Sequence, residues 1–290
     1  MSIPAISAYE MPTDLPQNRV QWQPDPARAV LLIHDMQDYF LRYYGSDSAL
    51  VDKLLANLIA LRNWARENRV PVVYTAQPTE QSDAERALLN DMWGPGLTTA
   101  DPDQAAIVGP LAPEKNDTML VKWRYSAFQR SPLQTLMHDW GRDQLLIGGV
   151  YAHIGCMTTA LDAFMRDIQP FMIADALADF SRGEHQQALD FVAGRCGAVI
   201  TTGQLLRSNT IPNHALDYHW LTAQILPLLE EGAGEPEADD NLIDYGLDSV
   251  QVMQLIGQWQ PLGIHLTFED LAREPTLQGW WELIEQKQEA

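Results

Sequence analysis

Five short apolar runs mark the first two hundred positions: AVLLIHD (29–35), VPVVYTAQ (70–77), TMLVKW (118–123), QLLIGGV (144–150) and FMIAD (171–175). Each is five to eight residues long and shows little alternation, the pattern of strands covered on both faces in a parallel sheet. Between them apolar positions recur at helical spacing, at Leu50, Leu54, Leu58 and Leu61 within 49–68, and again over 132–140, 156–167 and 184–194. Strand alternating with helix predicts right-handed crossovers and an α/β fold, a three-layer, doubly wound, mostly parallel sheet. AVITT (198–202) is a candidate edge strand.

After LLRSNTIPNH (205–214) the pattern changes, and no further strand is expected. Helical patterns cover 215–229, Ser249 to about Gln260, 267–272 and 276–286, the last with Pro275 and Thr276 near its start. An acidic loop, EEGAGEPEADD (230–240), separates the first two. The expected organisation is therefore an α/β domain over 1–206, a linker over 207–213, and a small all-α four-helix bundle over 214–290.

Composition sharpens this picture. With 290 residues, 46% apolar and 20% charged, the chain is long enough for one sizeable core and a small one. No apolar run approaches the roughly 18 residues of a membrane span. The opening MSIPAISAYEMPTDLPQ has no basic start followed by an apolar stretch, so no secretory signal is expected. Two cysteines, Cys156 and Cys196, make no disulfide framework, which fits a reducing cytoplasm. Net charge is −20, and residues 214–290 hold 15 acidic against 2 basic side chains. Such a segment repels nucleic acid and anionic membrane and suits basic patches on partner proteins, although a solvated surface is the plainer account of charge alone.

In an open parallel sheet ligands bind beyond the carboxyl ends of the strands. The polar residues there are Asp35, Gln77, Lys122 and Tyr151. Each alone reads as an ordinary loop residue; four at one rim point to a site. Arg86 can clamp a carboxylate through its planar fork, or pair with Glu85 or Asp83. Trp93, before a Gly-Pro-Gly turn, can wall a pocket or belong to the core. So many donors suggest a substrate bearing carboxylates.

LLIHDMQDYF, VVYTAQP, RALLNDMWGPGL, VKWRYSAF and GVYAHIGCMTTALDAF resemble the isochorismatases of the cysteine-hydrolase-like superfamily, and DNLIDYGLDSV resembles the phosphopantetheine site of a carrier protein. Together, in this order, they resemble the bifunctional isochorismatase–aryl carrier proteins of catechol siderophore synthesis. In amidases of that superfamily the nucleophilic cysteine follows Gly-Val by four residues; here that position is Gly155, and Cys156 falls one residue late. One step along a helix turns a side chain by about 100°, so Cys156 is expected to be a buried packing residue.

The resemblance implies hydrolysis of isochorismate to pyruvate and 2,3-dihydro-2,3-dihydroxybenzoate. A vinyl ether needs a proton on its terminal carbon and then water, not an acyl-enzyme. Asp35 is implied as proton donor and Lys122 as its electrostatic partner. Gln77, Arg86, Trp93 and Tyr151 are implied around the substrate, with Gly155 leaving room for it. His34 and His153 flank the crevice, either binding substrate or water or serving the core. No metal is expected, because Ala76, Gln77, Pro78 and Thr79 stand where metal-carrying relatives place ligands. Ser249 is implied to carry 4′-phosphopantetheine; alone, it would read as a helix N-cap. Val250, Met253 and Phe268 form an expected docking patch. Implied partners are a 2,3-dihydroxybenzoate-AMP ligase, a phosphopantetheinyl transferase, a downstream nonribosomal peptide synthetase condensation domain, and a second copy through the hydrolase domain. Two alternatives stand beside this: an inactive scaffold presenting a carrier, and an amidase using Cys156.

Overall fold

The computed structural model describes residues 3–208, 218–230, 234, 236–259, 264 and 266–288. The chain divides into two compact units, Met1–Asn209 and Thr210–Ala290.

The first unit is built on six parallel strands: β1 (Ala29–His34), β2 (Val72–Ala76), β3 (Thr118–Val121), β4 (Gln144–Val150), β5 (Gln169–Ala178) and β6 (Ala198–Ile200). Their order is β3-β2-β1-β4-β5-β6. In β1, Leu31 and Ile33 enter one apolar layer while Val30 and Leu32 enter the other. A strand buried on both faces has no polar position to alternate with, which is why the runs lack period two.

The helix Ala49–Glu67 opens on Ser48, whose side chain accepts from Val51 N, and buries Leu50, Leu54, Leu58 and Leu61. Each buried leucine contributes about 1.5–3 kcal/mol as an upper value. The helix lies so close to the sheet that a Cβ on Gly148 would stand 2.7 Å from Leu58 Cδ2. One residue on, Gly149 has φ +122° and a Cβ there would meet the His34 carbonyl oxygen at 2.1 Å. Glycine at 149 lets β1 and β4 end side by side. The order in which successive strands are added reverses between these two parallel strands, so their carboxyl ends bound a crevice.

Three features depart from the sequence reading. Strand β5 extends beyond FMIAD at both ends, with a register irregularity against β4 between Ile147 and Gly149. Its Asp175 carboxylate accepts from Thr202 N (2.7 Å) and Thr202 Oγ1 (2.9 Å), starting an unforeseen helix, Thr202–Ser208. That helix runs through Arg207 and Ser208, which the sequence reading assigned to the linker; the linker residues 209–213 lie outside the described residues. The helix after β4 opens as a π-turn, Ala152–Cys156, before the α-helix Met157–Phe164.

The second unit contains the helices Tyr218–Ile225, Ser249–Trp259, Phe268–Arg273 and Leu277–Gln288, with 3₁₀ turns at Leu226–Leu228 and Leu242–Tyr245. Leu221, Ile225, Leu255, Trp259, Trp280 and Ile284 share one core, in which Trp259 and Trp280 meet edge-on at 6.2 Å. Thr267 and Asp270 form a capping box at the third helix. The expected helix start at 215–217, part of the acidic loop (231–233 and 235) and Gln260 lie outside the described residues. Among the described residues no helix is long and apolar enough to cross a membrane.

Candidate active site and carrier serine

The chain leaves β1 through Asp35, whose φ of +49° turns the backbone sharply at the crevice. Thr75 on β2 holds this turn with one hydroxyl: it accepts from Asp35 N (3.1 Å) and donates to Asp35 Oδ1 (2.7 Å). Lys122, just past β3, donates from Nζ to Asp35 Oδ2 at 2.7 Å. The two side chains are 3% and 6% exposed, so the pair is removed from solvent. Burial alone would raise the Asp35 pKa, but His34, Lys122 and Thr75 outweigh it and hold the carboxyl below its ordinary range.

Around the pair is a pocket of about 570 Å³, counting its open mouth. Every residue singled out for this pocket lines it: Asp35, Gln77, Arg86, Trp93, Lys122, Tyr151 and Gly155. Arg86 pairs with neither Glu85 nor Asp83. Its Nε donates to Gly94 O (2.7 Å) and its Nη1 to Gln81 Oε1 (3.4 Å), while Glu85 is engaged in a capping box with Ser82. Gly96, at φ +59°, leaves space for the guanidinium. A buried guanidinium without a carboxylate is a prepared anion clamp. Trp93 Nε1 donates to Tyr125 Oη (2.7 Å), and its ring meets Phe180 edge-on. The Tyr151 hydroxyl is already engaged, donating to Phe40 O (2.8 Å), so this residue offers the pocket its ring more than its phenol.

Gly155 corrects one expectation. The space a side chain would occupy there is not left to substrate but filled by the His34 ring: a Cβ on Gly155 would meet His34 Cε1 at 2.2 Å and Nε2 at 2.7 Å. Cys156 is fully buried in the apolar layer with Val30, Leu32 and Ala160, and does not line the pocket. Burial, reinforced by the Asp35 charge, pushes its thiol well above the ordinary value. A thiol so held is a poor nucleophile. His153 is bound away from the pocket, with its Nδ1 2.5 Å from Asp179 Oδ1 and its backbone N donating to Oδ2 (2.6 Å).

Sequence reasoning missed Thr75, Gln37, Tyr125 and Phe180. Gln37 is buried, donates to Gln77 O and Ala105 O, and accepts from Gln77 N (2.7 Å), fixing the loop that carries Gln77. Thr75 had a signal, a hydroxyl inside the apolar VVYTA. Phe180 and Tyr125 had none, since their proximity depends on loops. Among the described residues no group of three or more His, Cys, Asp or Glu side chains is placed to hold a metal.

In the second unit the helix cap is Asp248, not Ser249: Asp248 Oδ1 accepts from Val250 N and Gln251 N, each at 2.8 Å. Ser249 is exposed, its hydroxyl not used by the cap, at the mouth of an apolar cleft that includes Leu247, Phe268 and Trp280. Val250, Met253 and Phe268 are 62%, 57% and 40% exposed, while Val252, Leu255, Ile256 and Trp259 face the core.

A doubly wound parallel sheet with a buried Asp–Lys pair at its switch point is the arrangement of an isochorismatase-like hydrolase, here followed by a phosphopantetheine carrier bundle. Residues 29–204 match the isochorismatase domain and residues 219–284 the phosphopantetheine attachment site, and the chain belongs to the isochorismatase family. It is 54% identical over 286 residues to enterobactin synthase component B of Escherichia coli K12, covering 98% of both chains. It is 46% identical to an isochorismatase of Bacillus subtilis, covering 98% of this chain and 96% of that one. A cysteine hydrolase from Pseudomonas syringae shares the fold, with a TM-score of 0.60 over 66% of this chain and 96% of that chain at 24% identity.

Proposed function

We propose that this chain hydrolyses isochorismate and carries an activated aryl acid for siderophore assembly. The hydrolase activity is assigned to residues 1–206 and the carrier activity to 214–290. The observation that carries the first half is the Asp35–Lys122 pair, buried beside an unpaired Arg86 in a pocket without a thiol.

Arg86 and Lys122 receive the two carboxylates of the substrate, and Trp93 and Tyr151 wall its ring. With Lys122 drawn toward a substrate carboxylate and water excluded, the Asp35 carboxyl gains proton affinity. Asp35 then protonates the terminal methylene, forming a methyl group and an oxocarbenium ion that water traps. The hemiketal collapses to pyruvate and the diol. No bond to the enzyme forms. Asp35→Asn should abolish pyruvate release, read by a coupled dehydrogenase, while the circular dichroism spectrum stays that of the parent. An Asp35→Asn protein that retains turnover refutes the role.

In the second half, Ser249 carries 4′-phosphopantetheine, which an adenylation enzyme loads with 2,3-dihydroxybenzoate and a condensation domain unloads. Val250, Met253 and Phe268 form the docking face for those partners. The freedom of the Ser249 hydroxyl supports this reading. Intact mass after incubation with coenzyme A and a phosphopantetheinyl transferase tests it: one phosphopantetheine should be gained, and none by Ser249→Ala.

A further inference from the structure

His34 lines the pocket beside Asp35, and the reaction above assigns it no task. Its ring is 1% exposed, and it sits beside Asp35 with Nδ1 3.8 Å from Asp35 Oδ2. Nδ1 lies 2.7 Å from the Val150 carbonyl oxygen. A carbonyl only accepts, so Nδ1 carries the hydrogen and the neutral ring presents a lone pair at Nε2. Nε2 has no partner at hydrogen-bond geometry, and the Tyr125 backbone near the ring, which favours its protonated form, is an acceptor and supplies no donor. Across from it stands Gly155, the position that holds a nucleophile in the resembling amidases and here has no side chain. A buried acceptor without a donor is a rare arrangement, and one beside a reaction centre is a group left for a ligand to satisfy.

Resting on the proposed hydrolysis, we propose that His34 Nε2 accepts the proton of the water that traps the oxocarbenium ion. The steps balance. Asp35 gives a proton to the methylene carbon and becomes a carboxylate. Water oxygen bonds to the oxocarbenium carbon as one of its protons passes to His34 Nε2. The hemiketal hydroxyl loses its proton as the ring ether oxygen gains one and the C–O bond breaks. The proton held by His34 then returns to Asp35. The imidazolium exists only while its neighbour Asp35 is a carboxylate, and the Tyr125 backbone also favours the protonated ring. Burial keeps the resting ring neutral, its pKa lowered to about 4, so the lone pair is available at neutral pH.

The experiment compares the parent with His34→Asn and His34→Gln as full chains in D₂O. The Asn amide can still donate to Val150 O but has no atom at Nε2; the Gln side chain reaches the Nε2 position with an acceptor. With water capture impaired, the oxocarbenium ion returns to substrate by losing a methyl proton, and deuterium enters the methylene of recovered isochorismate. His34→Asn is expected to release pyruvate about 100-fold more slowly or worse, with deuterium in the recovered substrate, and His34→Gln to recover much of the rate and lose the wash-in. A folded His34→Asn protein with parental turnover, or one slowed without wash-in, overturns the proposal. Should the Asn variant not fold, ¹⁵N NMR of the parent decides: an Nε2-protonated neutral tautomer overturns it, and a bare Nε2 that shifts with bound product analogue supports it. A parent that releases no pyruvate refutes the hydrolase reading instead.

Discussion

Lys122→Met removes the cation from a pair held at 2.7 Å and leaves a similar volume behind. At an effective dielectric of about 20 the lost attraction is about 6 kcal/mol, and part of it is regained because the carboxyl picks up a proton rather than remain a buried bare charge. The expected net cost at pH 8 is therefore about 3–5 kcal/mol, a large share of the stability of an ordinary domain. Burial is the foremost influence on Asp35 and acts upward, so without Lys122 its pKa should climb. Stability of the variant should then improve relative to the parent as pH falls toward 5, where the carboxyl is neutral. Urea unfolding at pH 8 and pH 5, with Asp35→Asn and the double variant alongside, completes the cycle. Asp35→Asn added to Lys122→Met should recover most of the loss at pH 8. A double variant no more stable than Lys122→Met, or a cost independent of pH, refutes the account of Lys122 as the counter-charge of a buried carboxylate.

Cys156→Ala should keep most pyruvate release and cost about 1–2 kcal/mol of stability from the small void left in its layer, and iodoacetamide should not inactivate the folded parent; rapid inactivation through Cys156 would contradict its burial. Met253→Asp should leave the melting temperature of the second unit unchanged yet slow aryl loading or delivery several-fold, and a variant unaffected in both removes Met253 from the docking face. Burial lowers the pKa of His34 and His185 to about 4 from an ordinary 6.5. The unfolded chain therefore binds protons that the native state refuses: their contribution is complete above 6.5 and is lost as pH falls toward 4, by up to about 2.7 kcal/mol per pH unit for two protons. His153, raised by Asp179 against its burial, acts in the opposite sense but only above pH 6.5, so it leaves the slope below 6.5 unchanged. Hydrolase-domain melting followed from pH 7 to 5 should fall, and a flat profile would count against two buried neutral imidazoles.

The inner strands were legible because burial on both faces writes an unbroken apolar run, as in AVLLIH and QLLIGG, and the edge strand TMLV was legible from its apolar composition although Met119 and Val121 are exposed. The longer reach of β5 was not, since Asp175 reads as a stop until Thr202 is seen to satisfy it. Asp35, Gln77, Lys122 and Tyr151 were found by a geometric rule alone, that sites lie at strand carboxyl ends. Gln37 escaped that rule because its work is done on the backbone of a neighbouring loop. The filling of the Gly155 space by His34 was illegible for a related reason. Two positions 121 apart become neighbours only when β1 and β4 end side by side.

The division of labour at the second helix of the carrier has a consequence for how the protein matures. Asp248 starts that helix, and the adjacent serine oxygen owes nothing to the fold. With the arm on Ser249 as proposed, bare and decorated chains should be the same scaffold, able to receive it late, or exchange it, without rebuilding anything beneath.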